Sequence, residues 1–285
     1  MMQEPTYHRY QRQMILPDFG KEAQDKLSRA RILVIGAGGL GCPCLIYLAA
    51  AGVGYIDIAD GDEVSISNLH RQILFTTEDI GQTKSVVASK RLKAYNPNIV
   101  SKHLPFADQA LLKIWIPNYD LIIDCTDQYA IRYMINDACV LSMKPCVYAA
   151  IFRYQGQLAL FNPQGGIQLR DIFPEMPTQG MSCADAGILG AITGIMGSLQ
   201  ALEAIKYLIG SEDSLGTQLL QYDFATHQTF KVIIKANSSY KKPNTWDEYI
   251  ACNYLPATCD LSTNEYDLTG SEFLTMAKDS TVIVI

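Results

Sequence analysis

Strand-like runs alternating with helix-length segments predict a doubly wound, mainly parallel, Rossmann-like α/β sheet with an antiparallel extension in the C-terminal half. Three observations carry this reading. RILVI at 31–35 runs straight into a G-x-G-x-x-G turn formed by Gly36, Gly38 and Gly41, with Gly39 inside it. Further runs at 55–59, 98–104, 120–124 and 145–150 leave room between them for helices over 39–51, 83–95 and 128–142. Beyond Ala150 the pattern changes: GQLALF and the stretch 217–235, TQLLQYDFATHQTFKVIIK, read as antiparallel strands joined by polar turns.

Taken in order, residues 1–30 form a polar helical lead-in, RYQRQ followed by GKEAQDKLSRA. The glycine turn lets the backbone approach a phosphate at the N-terminus of the next helix. Asp60 closes the second strand nineteen residues past Gly41, where a nucleotide-binding βαβ unit places its ribose carboxylate. Asn68, Arg71, Gln72 and Lys84 follow, with Asp62 and Glu63 before them. A dinucleotide enzyme has no use for two cations and an amide there, because the turn and helix already hold its pyrophosphate. Arg71 can fork two phosphate oxygens and Lys84 is a movable point charge, so the pattern suits a longer polyphosphate such as ATP. A solvated charged face is the competing reading. Asp127 closes IIDCTD after a buried strand, at the strand end where α/β sheets gather their chemistry. Asp124 shares that motif, with capping of the next helix as its other use. A loop rich in Gly and Pro spans 162–182 and a long helix spans 187–209. Cys183 falls between them, where a thiolate gains from a helix N-terminus, although burial is the commoner fate of a cysteine. Cys42, Cys44, Cys125, Cys139 and Cys146 sit in apolar context and read as packing residues. Residues 236–263 are polar and read as a linker after a first domain over 1–235; YDLTGSEFLTMAKDSTVIVI then reads as a capped helix and a strand.

Bulk properties narrow the function classes. At 285 residues, with 48% hydrophobic and 18% charged side chains, the chain has the composition of a soluble globular protein with a sizeable core. A net charge of −6 argues against nucleic acid as a general partner. No N-terminal apolar run marks a signal peptide, and Cys42–Ala51, the most apolar helix segment, is about half the length of a membrane span. Eight cysteines without paired spacing point to a reducing, cytoplasmic setting.

At this point the chain resembles the ThiF/MoeB/HesA family, bacterial relatives of ubiquitin-activating enzymes. RYQRQMILPDFG, GAGGLG, the residues at 60–72, GQTK, IIDCTD and CADAGILGAITGIMGSLQALEAIK occur in the family's order over roughly Arg9 to Lys231. The resemblance implies adenylation of the C-terminal glycine of a small ubiquitin-like sulfur-carrier protein ending in Gly-Gly, preparing it for sulfur transfer. It implies ATP held by Gly36, Gly38, Gly39, Gly41, Asp60, Asn68, Arg71, Gln72 and Lys84, and Mg2+ held by Asp127. It implies a homodimer in which Arg12 crosses to the partner's nucleotide, with Arg9 the other arginine in reach, and a covalent role for Cys183 toward the carrier or a sulfur donor protein. Two departures stand out. Gln128 replaces the family's usual Asn, and Gln168, Asp171, Ser239 and Lys242 stand where many relatives carry two CxxC pairs for zinc, so no structural zinc is expected. The tail over 264–285 resembles the opening of a rhodanese-like sulfurtransferase domain, and a truncated form is one reading of it. Competing functions are adenylation of a peptide or a tRNA-borne carboxylate, and a non-catalytic scaffold. A nicotinamide oxidoreductase leaves Arg71, Lys84 and Asp127 without a purpose.

Overall fold

The computed structural model describes residues 4–176, 187–237, 239–254 and 283–284. Nine strands form one sheet: β1 Arg31–Ile35, β2 Tyr55–Ala59, β3 Val100–Leu104, β4 Leu121–Asp124, β5 Cys146–Phe152, β6 Gln155–Phe161, β7 Gln218–Asp223, β8 Gln228–Ile233 and the two-residue β9 Ile283–Val284, in the order β3-β2-β1-β4-β5-β6-β7-β8-β9. Strands β1 to β5 pair in parallel, and every later pairing is antiparallel. The expected parallel sheet with an antiparallel extension is thus the observed one. Chain order reverses direction between β1 and β4, and such a switch point opens a crevice at the carboxyl ends of the strands.

The apolar runs follow from this placement. A parallel strand covered on both faces reads as a near-continuous apolar run, and β1 is buried at all but its first residue. Successive residues feed opposite sides: Ile32 and Val34 join one core, Leu33 and Ile35 the other. Helices α2 Gly20–Arg29, α3 Gly41–Ala51, α4 Lys84–Tyr95 and α8 Gly190–Ile209 contribute to the first core. The second is closed by α5 Gln109–Trp115, α6 Tyr129–Ser142, α7 Leu169–Ile172 and α9 Trp246–Ala251. Leu45 and Leu48 of α3 are fully buried, each worth about 1.5–3 kcal/mol relative to exposure. Pro43 lies in the first turn of α3, where its missing N–H costs nothing.

The N-terminal helix α1, Glu4–Met14, is fastened to the far end of α3. Gln13 donates from Nε2 to the Ala51 carbonyl at 2.9 Å, and Asn96 donates to the Tyr10 hydroxyl at 2.7 Å. Gly52 ends α3 in the left-handed region, φ 86°, and a Cβ there would meet the Tyr10 ring at 2.6 Å.

Two stretches differ from the sequence reading. The sequence reading places no element over 105–119, yet α5 forms there, with the Asp108 carboxylate accepting the Leu111 N–H at 2.8 Å as N-cap. Within the stretch expected as a linker, α9 packs against α5 and α6, with Tyr249 fully buried and the Tyr254 hydroxyl donating to Asp137 at 2.7 Å. Its buried aromatics, not its polar composition, decide where that segment goes. The expected rhodanese-like opening at 264–285 lies outside the described residues apart from β9. Among the described residues no helix is long and apolar enough to cross a membrane.

Candidate functional site

The carboxyl end of β1 becomes the glycine turn. Gly36 adopts φ 96°, and a Cβ on it would lie 2.7 Å from the Cys125 carbonyl oxygen at the end of β4. Only glycine allows both the backbone conformation and that approach. A Cβ on Gly41 would lie 2.1 Å from the Gly36 carbonyl oxygen, so the turn closes tightly against the first turn of α3. The N-terminal part of α8 lies against the same turn: Thr193 stands beside Gly39, and the Leu40 carbonyl lies against Gly197.

Asp60 follows β2 and is tied to the turn. Its Oδ2 accepts the Ala37 N–H at 2.7 Å and its Oδ1 accepts the Asp62 N–H at 2.8 Å. Burial raises its carboxyl above the usual range, opposed by these two N–H donors and by the charge of Lys84. Lys84, the first residue of α4, is nearly buried, and its Nζ donates to the exposed Asp62 carboxylate at 2.9 Å. Asp60, Asp62 and Lys84 therefore form one connected chain along the edge of the turn. Asp62 is the member that sequence reasoning left without a role. The signal was its place two residues after Asp60 in D-x-D, but the pairing with Lys84 spans 22 residues and needs the fold.

Residues 66–72 fold over this edge as a tight turn. The Asn68 carbonyl accepts the N–H groups of Arg71 and Gln72, both at 3.0 Å. Gln72 is buried against Gly38, with no hydrogen-bond partner for its Oε1 among the described residues. Such a buried orphan acceptor costs about 1–3 kcal/mol unless a donor reaches it. Arg71 is half-buried, its Nη1 donating to the Ser67 carbonyl at 3.1 Å and facing His70 Nε2 at 2.9 Å. Gly190, at the start of α8, abuts the His70 carbonyl.

On the other side of the switch point Asp124 ends β4. It is buried, and its Oδ1 accepts both the N–H and the hydroxyl of Thr126 at 2.9 and 2.7 Å. Burial raises its carboxyl and the charge of Arg132 opposes the rise. Asp127 stands exposed beyond it, and Gln128 occupies the N-cap position of α6. Of the two acids in the motif, Asp127 is the one open to a ligand.

The residues present fit a nucleotide and a hard cation. The Gln72 amide nitrogen beside Gly38 is a donor suited to a phosphate oxygen, and one exposed carboxylate at the strand end suits Mg2+, a hard cation that takes oxygen ligands. Among the described residues no group of three or more His, Cys, Asp or Glu could hold a metal alone. The zinc of many relatives does not fit this chain. Gln168 and Asp171 join in a polar clasp instead: Asp171 accepts the N–H groups of Gln168 and Asn237 at 2.8 Å and the Tyr240 hydroxyl at 3.1 Å. An amide and a carboxylate so engaged do not make a tetrahedral thiolate set.

Of the remaining candidates, Cys183 lies outside the described residues. Burial pushes the Cys42 thiol, beside the turn, up to about 12, so it holds no thiolate near neutral pH. Cys44, Cys125, Cys139 and Cys146 are likewise buried. Arg12 is exposed on α1, and Arg9 donates to the Tyr95 carbonyl at 3.0 Å. Their α1 neighbours Tyr10 and Gln13 touch the C-terminal end of α3, an 11-residue helix about 16 Å long whose other end carries the glycine turn.

Residues 10–244 match the ThiF family. The chain is 44% identical over 238 residues to a sulfur carrier protein adenylyltransferase of Thermus thermophilus, covering 80% of this chain and 88% of the relative. It is 46% identical over 219 residues to the adenylyltransferase and sulfurtransferase MOCS3 of Culex quinquefasciatus, covering 75% of this chain but only 50% of that relative, so it spans about half the length of such proteins. Among solved structures, E. coli MccB with ATP superposes with a TM-score of 0.69 at 20% identity, covering 78% of this chain and 69% of that one, a likeness of fold.

Proposed function

The chain belongs to the ThiF family, and on that premise we propose that it is an adenylyltransferase acting on the C-terminal glycine of a small ubiquitin-like sulfur-carrier protein. The observation that carries this reading is the gathering of the glycine turn, Asp60, the Lys84–Asp62 pair and buried Gln72 on one side of the switch point, with exposed Asp127 on the other. In this proposal ATP lies along Gly36, Gly38, Gly39 and Gly41, its ribose at Asp60. Its phosphates lie among Asn68, Arg71, Gln72 and Lys84, and Asp127 would hold Mg2+, which would neutralise charge on those phosphates.

The carrier's terminal carboxylate is already ionised at neutral pH, so no general base is needed. One carboxylate oxygen attacks the α-phosphorus, the bond to the bridging oxygen breaks, and pyrophosphate leaves with that electron pair. The product is an acyl-adenylate. Catalysis consists of positioning and of neutralising charge on the phosphates, the work of Arg71, Lys84 and the Asp127-held cation. The acyl carbon is then open to a sulfur nucleophile, with AMP leaving, and Cys183 is this chain's own candidate for that step. The working unit is a homodimer in which Arg12 serves the partner's site.

Pyrophosphate exchange into ATP tests the reading. With Mg2+ and a carrier ending in Gly-Gly the protein should exchange label, and Arg71→Ala or Asp127→Ala should each lower the rate by about 10²–10³. Unchanged exchange in both variants would refute the site. Exchange with short peptides but not with carriers would shift the acceptor to a peptide carboxylate.

A further inference from the structure

The loop bearing Asp127 is held from beneath by a buried polar network that the proposed reaction does not use directly. Thr126, the residue before Asp127, has all its polar groups engaged: its N–H and hydroxyl donate to Asp124 Oδ1, and its carbonyl accepts from Arg132 Nη2 at 2.7 Å. From α8, Gln200 donates to the Asp124 carbonyl at 2.7 Å. Arg132 is 7% exposed; its guanidinium lies 5.2 Å from the centre of the Tyr148 ring and its Nη1 donates to the Tyr148 hydroxyl at 3.3 Å. Tyr148 in turn donates to Gln157 Oε1 at 3.3 Å. A cavity of about 10 Å³ lies among Asp124, Arg132, Asn136 and Tyr148.

Burying a guanidinium and a carboxylate within one network costs several kcal/mol per ion, and well-packed apolar residues are often the more stable choice. Stability is therefore a weak reason for this arrangement. Its hydrogen bonds converge on Thr126, which sets where the next residue stands. Mg2+ tolerates little error, requiring near-octahedral oxygens at about 2.0–2.1 Å.

We propose that Arg132 is a positioning residue: acting through the Thr126 carbonyl and braced by Tyr148, it fixes the Asp127 carboxylate where a phosphate-bound divalent cation is met. This rests on the reading of Asp127 as the cation ligand, and it extends the site to a residue that touches neither substrate nor metal. Partners that orient a ligand in this way typically govern metal affinity by 10- to 100-fold.

Binding of a non-hydrolysable ATP analogue, titrated with Mg2+ in the absence of any carrier, tests the proposal. Arg132→Lys keeps the charge but not the fork. It should raise the Mg2+ concentration at half-saturation roughly ten-fold or more, while metal-free binding of the analogue stays at the wild-type level. Tyr148→Phe, which removes only the hydroxyl brace, should shift it in the same direction by less, and it decides the matter if Arg132→Lys does not fold. Wild-type Mg2+ half-saturation in the folded variant would overturn the proposal. So would an equal loss of binding with and without Mg2+, or a wild-type protein whose nucleotide binding ignores Mg2+. Failure of every Gly-Gly carrier to support exchange, with the Mg2+ shift intact, would count against the adenylation reading and leave this one standing.

Discussion

At the scale of single residues, two glycines of one turn should behave in opposite ways. Gly36 combines φ 96° with a backbone carbonyl 2.7 Å from its would-be Cβ, so Gly36→Ala should cost about 1–3 kcal/mol in backbone strain alone, more if Cys125 must move. At Gly38 the nearest neighbour is Gln72 Nε2 at 3.6 Å, an ordinary contact. Gly38→Ala should leave stability within about 0.5 kcal/mol yet weaken nucleotide binding, because the methyl stands where a phosphate must approach the backbone. Urea unfolding beside analogue binding separates the two effects; equal destabilisation would show that the turn is shaped by packing alone. The glycine turn, Asp60 and Asp127 could be placed from the sequence because each sits at a strand end, and Arg71 and Lys84 stood out as cations beyond the second strand. Asp62 and Arg132 were not, since their importance lies in what they hold. One restrains Lys84 across 22 residues and the other grips a carbonyl six residues back.

Among elements, the strands that form the site were the most legible, because β1 and β2 are buried at every position after the first and read as near-continuous apolar runs, broken only by Asp57 of β2, whose carboxylate accepts the Tyr119 hydroxyl at 2.8 Å. Short α5 and α9 were hidden for the opposite reason: each is seven residues or fewer, too short to show a helical period, and α9 buries tyrosines that composition counts as half polar. The connection from the 66–72 turn into α4 supplies a pH test. Asp79 accepts the Thr76 N–H and hydroxyl at 2.7 and 3.0 Å and pairs with Arg91 of α4. Burial disfavours its ionised form, but these donors and the Arg91 charge outweigh it and hold the carboxyl below the usual range. With the folded value depressed, the contribution is full above the unfolded value near 3.9 and is lost as pH falls through the folded one. Asp79→Asn should therefore cost about 1 kcal/mol at pH 7, discounted for the partly exposed Arg91. The gap to wild type should close as the pH drops below about 4. Denaturant midpoints measured across that range check it, and a gap independent of pH would mean that charge plays no part. The clasp at Asp171 makes a second forecast at this scale: purified protein should carry no stoichiometric zinc, and a metal analysis finding one zinc per chain would refute it.

For the molecule as a whole, Arg12 and α8 raise the same question. Arg12 stands on α1, which Tyr10 and Gln13 fasten to the end of α3 opposite the glycine turn, so a role at a nucleotide would fall at another chain's site. Helix α8 is apolar on both sides. Its inner side packs on α3 and the sheet, while Ile195 and Leu202, seven residues apart, remain 47% and 52% exposed, with Leu189 just before the helix and Tyr47 of α3 each 56% exposed. A second copy covering that apolar stripe would form a two-fold dimer, the commonest closed symmetry. Mixing Arg12→Ala chains with Asp127→Ala chains then gives a decisive outcome. If Arg12 acts across the interface, one site of each mixed dimer lacks both groups and the other is intact. Random pairing makes about half the dimers mixed, so roughly a quarter of wild-type exchange should return when sites act independently. If Arg12 acts within its own chain, every site in a mixed dimer lacks one group and nothing is restored. Mass spectrometry of the mixture confirms that mixed dimers are present; their presence without restored exchange would place Arg12 outside the partner's site.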